Sequence, residues 1–378
     1  MRILHIVGTL SPAAGGPTEA IRLLIQHAPP GITCEVATLD SPTAEFLNAP
    51  HAFPVHALGT TPARWYSPHL LPWLRQNRHR FDGIVVHGLW EFTGLAARLA
   101  APHKPRLVFP HGMLDPYFRR AAPAKHLRKQ LYWLLAEFWN LRSAHRVLFT
   151  TTREQALAAH TFFPSRWTPA LVPLGTEAAP PTSLEAFHQR CPAVRSKPFL
   201  LFLGRIDPKK GCDLLMRAFR DAAPAGLHLV MAGPDPTDWQ PHLHSLAGPA
   251  AGRIHWPGML QGETKHSALA ACEAFILPSH QENFGIAVAE ALAHGKPVLL
   301  SDQINIADDI RADGCGLVQP DTYEGTLALL NAWIASTTSQ REEMSRRALN
   351  SFQTRYDIRQ NAAALYNLFP NSNLEPGT

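Results

Sequence analysis

The chain has 378 residues, 46% of them hydrophobic and 17% charged, with a formal net charge of +5. That length favours two ordinary domains with ample core, and the absence of any run of about 18 uncharged apolar residues argues against a transmembrane helix. The five cysteines, Cys34, Cys191, Cys212, Cys272 and Cys315, are scattered, odd in number and never paired as C-x-x-C, a pattern that favours a reducing, cytoplasmic setting and no structural zinc.

The charge is unevenly spread. Residues 1–175 carry 18 Lys and Arg against 9 Asp and Glu, while the remainder carries 17 against 21. The first half is therefore expected to meet an anionic partner. No zinc finger, RNP-like aromatic motif or recognition-helix pattern accompanies the charge, so nucleic acid is not expected. An anionic lipid surface or a diphosphate-linked acceptor fits better.

Taken in order, short apolar β-branched runs alternate with helical patterns, as in parallel α/β sheets. The first half predicts strands at 2–8, 34–40, 55–58, 83–88, 106–110, 146–151 and 170–174. The opening MRILHIVGTL reads as a strand and not as a signal peptide, because Arg2 and His5 interrupt its apolar run. After it comes GTLSPAAGGPTEA, leading into a helix expected to start near Thr18. There Gly15 and Gly16 would expose backbone N–H groups to a phosphate, or simply form a flexible strand-to-helix loop. Trp90 and Glu91, past the strand that ends in His87 and Gly88, suit acceptor contacts or core and cap positions equally. His111 and Gly112 end another strand within HGMLDP, where a metal role for His111 is disfavoured because no second His stands at ligand spacing.

Residues 119–146 hold Arg119, Arg120, Lys125, Arg128, Lys129, Arg142 and Arg146 against Glu137 alone among acids. Leu127, Leu131, Leu134, Leu135, Phe138 and Leu141 recur at helical spacing. Two readings stand: a basic amphipathic helix on an anionic membrane surface, or a helix packing its apolar face on the sheet and solvating its basic face. Residues 176–196, rich in Ala and Pro, are expected as a linker, separating a domain over 1–175 from one over 197–355.

The second half predicts strands at 199–204, 227–232, 254–257, 274–278, 297–301 and 316–319. In FLLFLGRIDPKKG a strand delivers Arg205 and, around one turn, Lys210, two cations suited to clamp a diphosphate. HQENFGIAVAEALAHGKPVLLSD, residues 280–302, reads as loop, helix, turn and buried strand, with Gly295 and Pro297 stopping the helix. A helix this apolar should be buried, yet it carries Glu290, and a buried carboxylate without a partner costs several kcal/mol. Were all eight steps from Glu282 to Glu290 helical, they would span roughly 12 Å. That suits the two ends of one elongated polar ligand, with a phosphate held between them at the helix start near Phe284 and Gly285.

Pro278, Ser279, Glu282, Phe284, Gly285, Glu290, Ala291, Gly295, Pro297 and Val298 together resemble the E-x7-E signature of the family-4 retaining glycosyltransferases. Arg205 and Lys210, in G-R-x-x-x-x-K-G, resemble the same family, and HGMLDP is similar to its bacterial members in surface-polysaccharide assembly. The resemblance implies the GT-B fold, two doubly wound Rossmann-like domains facing a cleft, with the last helix, 356–369, returning to the first domain. It implies transfer of a hexose-type sugar from a nucleoside-diphosphate sugar, GDP- or UDP-linked, to a glycan or lipid-linked acceptor, by a cytoplasmic enzyme, which the first reading of the basic stretch 119–146 would make peripheral to the cytoplasmic face of the inner membrane. By the same resemblance Glu282 meets the donor sugar, Glu290 the ribose, and Arg205 and Lys210 the leaving diphosphate. Gly15 and Gly16 border the diphosphate, and Gly233, Met259 and Asn283 line the nucleotide sugar. His111 approaches the sugar, bonding either a hydroxyl or the departing phosphate. No cofactor beyond the donor and no metal are expected, in keeping with the absence of a D-x-D triplet. The competing readings are a GT-B sugar-nucleotide epimerase or phosphorylase, and a sugar-nucleotide-binding module without catalysis.

Overall fold

The computed structural model describes residues 1–60, 65–117, 119 and 123–370. The chain divides into two compact units, Met1–Leu174 with Ile358–Thr378, and Gly175–Asp357.

In the first unit, seven strands form one parallel sheet in the order β3-β2-β1-β4-β5-β6-β7. They are β1 (Arg2–Val7), β2 (Thr33–Thr38), β3 (Val55–Ala57), β4 (Gly83–His87), β5 (Arg106–Phe109), β6 (Arg146–Phe149) and β7 (Pro169–Leu171). Parallel strands covered on both faces must be apolar on both, and β4, GIVVH, is buried at every position. All seven expected strands form. The largest displacement is at β7, predicted to run to 174, where Pro173 offers no N–H to continue the ladder. Beside β1 the sheet order reverses, so β1 and β4 flank the switch point at which ligands of such sheets bind.

The second unit repeats the plan with six parallel strands in the order β10-β9-β8-β11-β12-β13. These are β8 (Phe199–Leu203), β9 (His228–Ala232), β10 (Ile254–Gly258), β11 (Ala274–Leu277), β12 (Val298–Ser301) and β13 (Gly316–Gln319). Its switch point lies between β8 and β11. The expected linker is a correction: residues 176–196 are part of this unit and hold a helix, Glu185–Arg190, and a turn, Pro192–Val194. Phe187 is wholly buried, and its N–H donates to Ser267 Oγ at 3.0 Å. Two apolar anchors, Phe187 and Val194, were hidden among the alanines and prolines.

The closing helix, Ile358–Tyr366, belongs to the first unit. Phe369 just beyond it packs so closely on Gly83 that a Cβ there would lie 2.3 Å from the ring.

The basic stretch splits its apolar residues between two faces. Helix Pro123–Tyr132 runs into a wide π turn, Trp133–Glu137, and on into Phe138–Arg142. A π turn holds more residues than an α turn, so the face offered to the core shifts as the chain passes through it. Trp133, Phe138 and Leu141 are buried, but Leu127, Leu131, Leu134, Leu135 and Trp139 are exposed, Leu127 at 73% and Leu135 at 70%. Of the two readings of this stretch, the one that packs a single apolar face on the sheet holds only for its buried residues, Trp133, Phe138 and Leu141. Among the described residues no helix is long and apolar enough to cross a membrane.

Candidate active site

At the exit of β8 the backbone is crowded. Gly233, at φ 150°, lies against Gly204, where a Cβ would meet the Gly204 carbonyl oxygen at 1.8 Å. From Arg205 the chain reaches Asp207, whose carboxylate accepts the Lys209 N–H at 2.9 Å and so caps the short turn Pro208–Lys210. Gly211 then adopts the left-handed conformation, φ 65°, beneath the Pro278 carbonyl, 2.1 Å from where a Cβ would stand. Only glycine tolerates both constraints. Helix Cys212–Ala222 follows.

The β11 exit docks onto this turn. The Lys209 carbonyl accepts from the His280 N–H at 2.8 Å and from Ser279 Oγ at 3.0 Å. Glu282 pairs its backbone with the loop after β12, donating to the Gln303 carbonyl at 3.3 Å and accepting from the Asn305 N–H at 3.1 Å. Asn305 Nδ2 also donates to Asn283 Oδ1 at 3.2 Å. Thus held, Glu282 Oε2 accepts from Lys210 Nζ, and both side chains stay about one-fifth exposed, at 20% and 18%. Lys210 and Glu282, each expected to address a different part of the ligand, are partners of one another.

Phe284 is buried edge-on against Tyr356, ring centres 5.7 Å apart. Gly285 caps helix Ile286–Ala293 in the left-handed conformation, with no side chain bonded over the helix start. Because the helix begins at Ile286, the first four of the eight steps from Glu282 to Glu290 are not helical. The all-helical span therefore does not apply.

Glu290 is buried as expected, 7% exposed, and its partner is Lys265, whose Nζ donates to Oε1 at 2.6 Å. Lys265 stands on helix Gly262–Ala271. Sequence reasoning missed it; the available signal was that a buried carboxylate demands a cation somewhere.

Arg205 keeps its side chain 57% exposed, with Nε 3.7 Å from Asp207 Oδ2. Gly233 and Gly258 continue the same sheet edge, the Gly233 N–H donating to the Gly258 carbonyl at 2.9 Å. Met259 follows on an exposed corner past β10. In the sheet order β9 alone separates β10, which Met259 follows, from β8, which Lys210 follows. Among the described residues no group of three His, Cys, Asp or Glu is placed to hold a metal ion.

In the first unit, Gly15 takes φ 78° and Gly16 opens helix Gly16–Gln26, two residues earlier than expected. The Gly15 N–H is already bonded to the Pro12 carbonyl at 3.1 Å, so of this loop's glycines Gly15 serves the turn and not an exposed donor. Beside the switch point, the Trp90 N–H donates to Glu137 Oε1 at 2.7 Å and Asn140 Nδ2 to Glu137 Oε2 at 3.0 Å. Burial pushes the Glu91 and Glu137 carboxyls up to about 7, and in Glu91 the neighbouring Glu137 adds to the effect. His111 has the left-handed φ of 51° and stacks on Phe109, ring centres 4.2 Å apart. Burial drives its imidazole down to about 3.

Known proteins share both units. The profile described as Glycosyl transferases group 1 matches residues 183–351, and the Glycosyl transferase 4-like domain matches residues 15–175. The chain belongs to the group 1, family-4 glycosyltransferases. One curated relative of this glycosyltransferase is the D-rhamnosyltransferase WbpZ of Pseudomonas aeruginosa, 26% identical over 92% of this chain and 90% of the relative. Among solved structures, Anabaena HepE in complex with UDP superposes with a TM-score of 0.78 at 17% identity, covering 97% of this chain and 99% of the other. WaaG, a glycosyltransferase involved in lipopolysaccharide biosynthesis, gives 0.69 at 17% identity over 98% and 100%. The two parallel-sheet units are those of the GT-B fold.

Within the second unit of this glycosyltransferase, Arg205, Lys210, Glu282 and the helix start at Gly285 thus follow the carboxyl ends of β8 and β11, the adjoining strands at the switch point, while Glu290 lies farther along that helix, paired with Lys265. Such an edge can neutralise an anion while accepting hydrogen bonds from hydroxyls.

Proposed function

We propose that this glycosyltransferase moves a hexose-type sugar from a UDP- or GDP-linked donor to a glycan or lipid-linked acceptor, with retention of configuration and without a metal, in the assembly of a cell-surface polysaccharide. The observation that carries the reading is the Lys210–Glu282 pair beside the exposed Arg205, at the switch point of the second sheet. An ammonium has three N–H donors, so Lys210 keeps two for phosphate oxygens while holding Glu282. Arg205 offers a planar fork that matches a diphosphate. The helix start at Gly285 adds backbone donors and the positive end of its dipole. These groups take the charge that develops on the departing diphosphate, which is where an enzyme gains most. Glu282 is left to accept from sugar hydroxyls, and Glu290, oriented by Lys265, to accept from the ribose. HepE, captured with UDP and with UDP-glucose, supports a nucleotide-sugar donor.

The exposed leucines of the basic stretch support membrane association. Leu127, Leu131 and Leu135 recur every four residues on solvent, with Lys125, Arg128 and Arg142 also exposed nearby. An amphipathic surface of this kind inserts its apolar side among anionic headgroups.

The test is a panel of UDP-, GDP- and ADP-sugars read by thermal shift, followed by transfer to lipid-linked acceptors with the product's anomeric configuration read by NMR. A donor at 100 times its Kd adds about 2.7 kcal/mol. Stabilisation by no nucleotide sugar, or an inverted product, would overturn the reading.

A further inference from the structure

His5 in β1, His87 in β4 and His111 just past β5 form a line across the first sheet. His5 Nδ1 is 2.9 Å from His87 Nε2, and His87 Nδ1 is 2.9 Å from His111 Nε2. At the inner end His5 Nε2 lies 3.0 Å from the Tyr366 hydroxyl, which is also 3.2 Å from Cys34 Sγ and 3.3 Å from the Leu24 carbonyl. His5 and Tyr366 are wholly buried and His87 almost so. Burial holds His5 and His111 at about 3 and His87 well below its ordinary value, so all three are neutral at pH 7.

A neutral imidazole donates through one nitrogen and accepts through the other. The line therefore has a direction, and its inner end sets it. Leu24 is in the last turn of helix Gly16–Gln26, where the Ala28 N–H that would close the next turn bonds to the Ile25 carbonyl instead, at 3.2 Å. A carbonyl only accepts, so Tyr366 gives it its single proton. The Tyr366 oxygen then accepts from His5 Nε2–H, with the Cys34 thiol as a second donor. His5 Nδ1 accepts from His87 Nε2–H, and His87 Nδ1 from His111 Nε2–H. Only His111 Nδ1 remains, and it is buried and unpartnered among the described residues. The reverse direction would strand two groups, the Leu24 carbonyl and a His111 N–H, where this one strands a single acceptor.

We infer that Tyr366, His5 and His87 are positioning residues that fix His111 as its Nε2–H tautomer, presenting Nδ1 as an acceptor for a hydroxyl of the sugar substrate. The identity of that ligand rests on the function proposed above; the tautomer does not. Of the two contacts open to His111 from the sequence, a hydroxyl or a departing phosphate oxygen, a bare Nδ1 selects the hydroxyl, because a phosphate oxygen has no proton to offer.

Full-length protein labelled with ¹⁵N in its histidine rings decides this by long-range proton–nitrogen correlation at neutral pH, without any substrate. His111, His87 and His5 should all show unprotonated Nδ1 and protonated Nε2, with the His111 signals assigned by their loss in His111→Gln. A protonated Nδ1 at His111 overturns the inference. In Tyr366→Phe the hydroxyl anchor is gone, and His111 should shift toward a mixture of tautomers. An unchanged His111 pattern in that variant, folded by near-UV circular dichroism, would show that the line does not set it. Should Tyr366→Phe fail to fold, the wild-type spectrum still decides. Absence of sugar transfer beside the expected tautomer would count against the proposed function alone.

Discussion

Lys210 and Glu282, 72 residues apart, form an ion pair at the exits of β8 and β11, the two strands at which the order of the second sheet reverses. Neither residue reaches the other by local geometry. The Asp207-capped turn and the backbone bonds from Glu282 to Gln303 and Asn305 aim them. Lys210→Ala is expected to lower kcat about 10²-fold or more, the effect of removing one preorganised donor from a developing anion. Arg205→Ala should do the same at nearly unchanged stability, since its side chain is mostly exposed. Steady-state kinetics beside thermal melts measures both, and wild-type turnover in either variant would contradict the clamp.

Gly211 is the hinge on which that pairing depends. Gly211→Ala must strain φ 65° and drive a methyl toward the Pro278 carbonyl. Destabilisation of more than about 1 kcal/mol is expected, with activity reduced as the β11 exit is displaced from Lys210. Urea unfolding and transfer rate would report the two effects. A variant as stable and as active as wild type would mean the turn has slack.

Glu290→Gln leaves Lys265 facing a neutral amide in a largely buried place. A loss of about 1–3 kcal/mol is expected. Lys265→Met in the same background should recover part of it, because removing the second charge removes the unpaired group. A double-mutant cycle by chemical denaturation gives the coupling, and strictly additive effects would show that the pair contributes nothing.

The buried carboxyl of Glu137 gives stability a pH dependence of definite sign. Unfolded, it ionises near 4.5; folded, burial holds it protonated until about 7. Between these values the folded state keeps a proton that the unfolded state has lost, so this group's contribution falls as pH rises from 4.5 to 7. The buried histidines act oppositely, since their folded values near 3 penalise the folded state as pH drops below 6.5. Glu137→Gln keeps an acceptor for the Trp90 N–H but turns an amide N–H toward Asn140 Nδ2, a cost that does not change with pH, while removing the titrating carboxyl. Its Tm relative to wild type should therefore improve steadily from pH 4.5 to 7. A difference that stays flat across that range would contradict the raised carboxyl.

Replacing Leu127, Leu131 and Leu135 by Ser removes exposed apolar surface without touching the core. Flotation with vesicles containing anionic lipid should fall sharply while the Tm stays within about a degree or two of wild type. Equal flotation would place the membrane contact elsewhere or nowhere.

The sequence by itself determined the two sheets, because a buried parallel strand announces itself as a short apolar run between turn residues whatever surrounds it. It also put forward Arg205, Lys210, Glu282 and Glu290 as candidates, since two cations around one strand-to-helix turn and a carboxylate inside an apolar helix are local anomalies. Tertiary structure alone decided who meets whom. Lys265 lies 25 residues before Glu290 with nothing in its own neighbourhood to mark it. His5 and Tyr366 are 361 residues apart, joined because the closing helix returns to the first sheet. The leucines of the basic stretch read as one helical face until the π turn at Trp133–Glu137 divided them. Periodicity is a property of neighbouring residues, whereas partnership depends on the strand order and the docking of helices, which no single segment encodes.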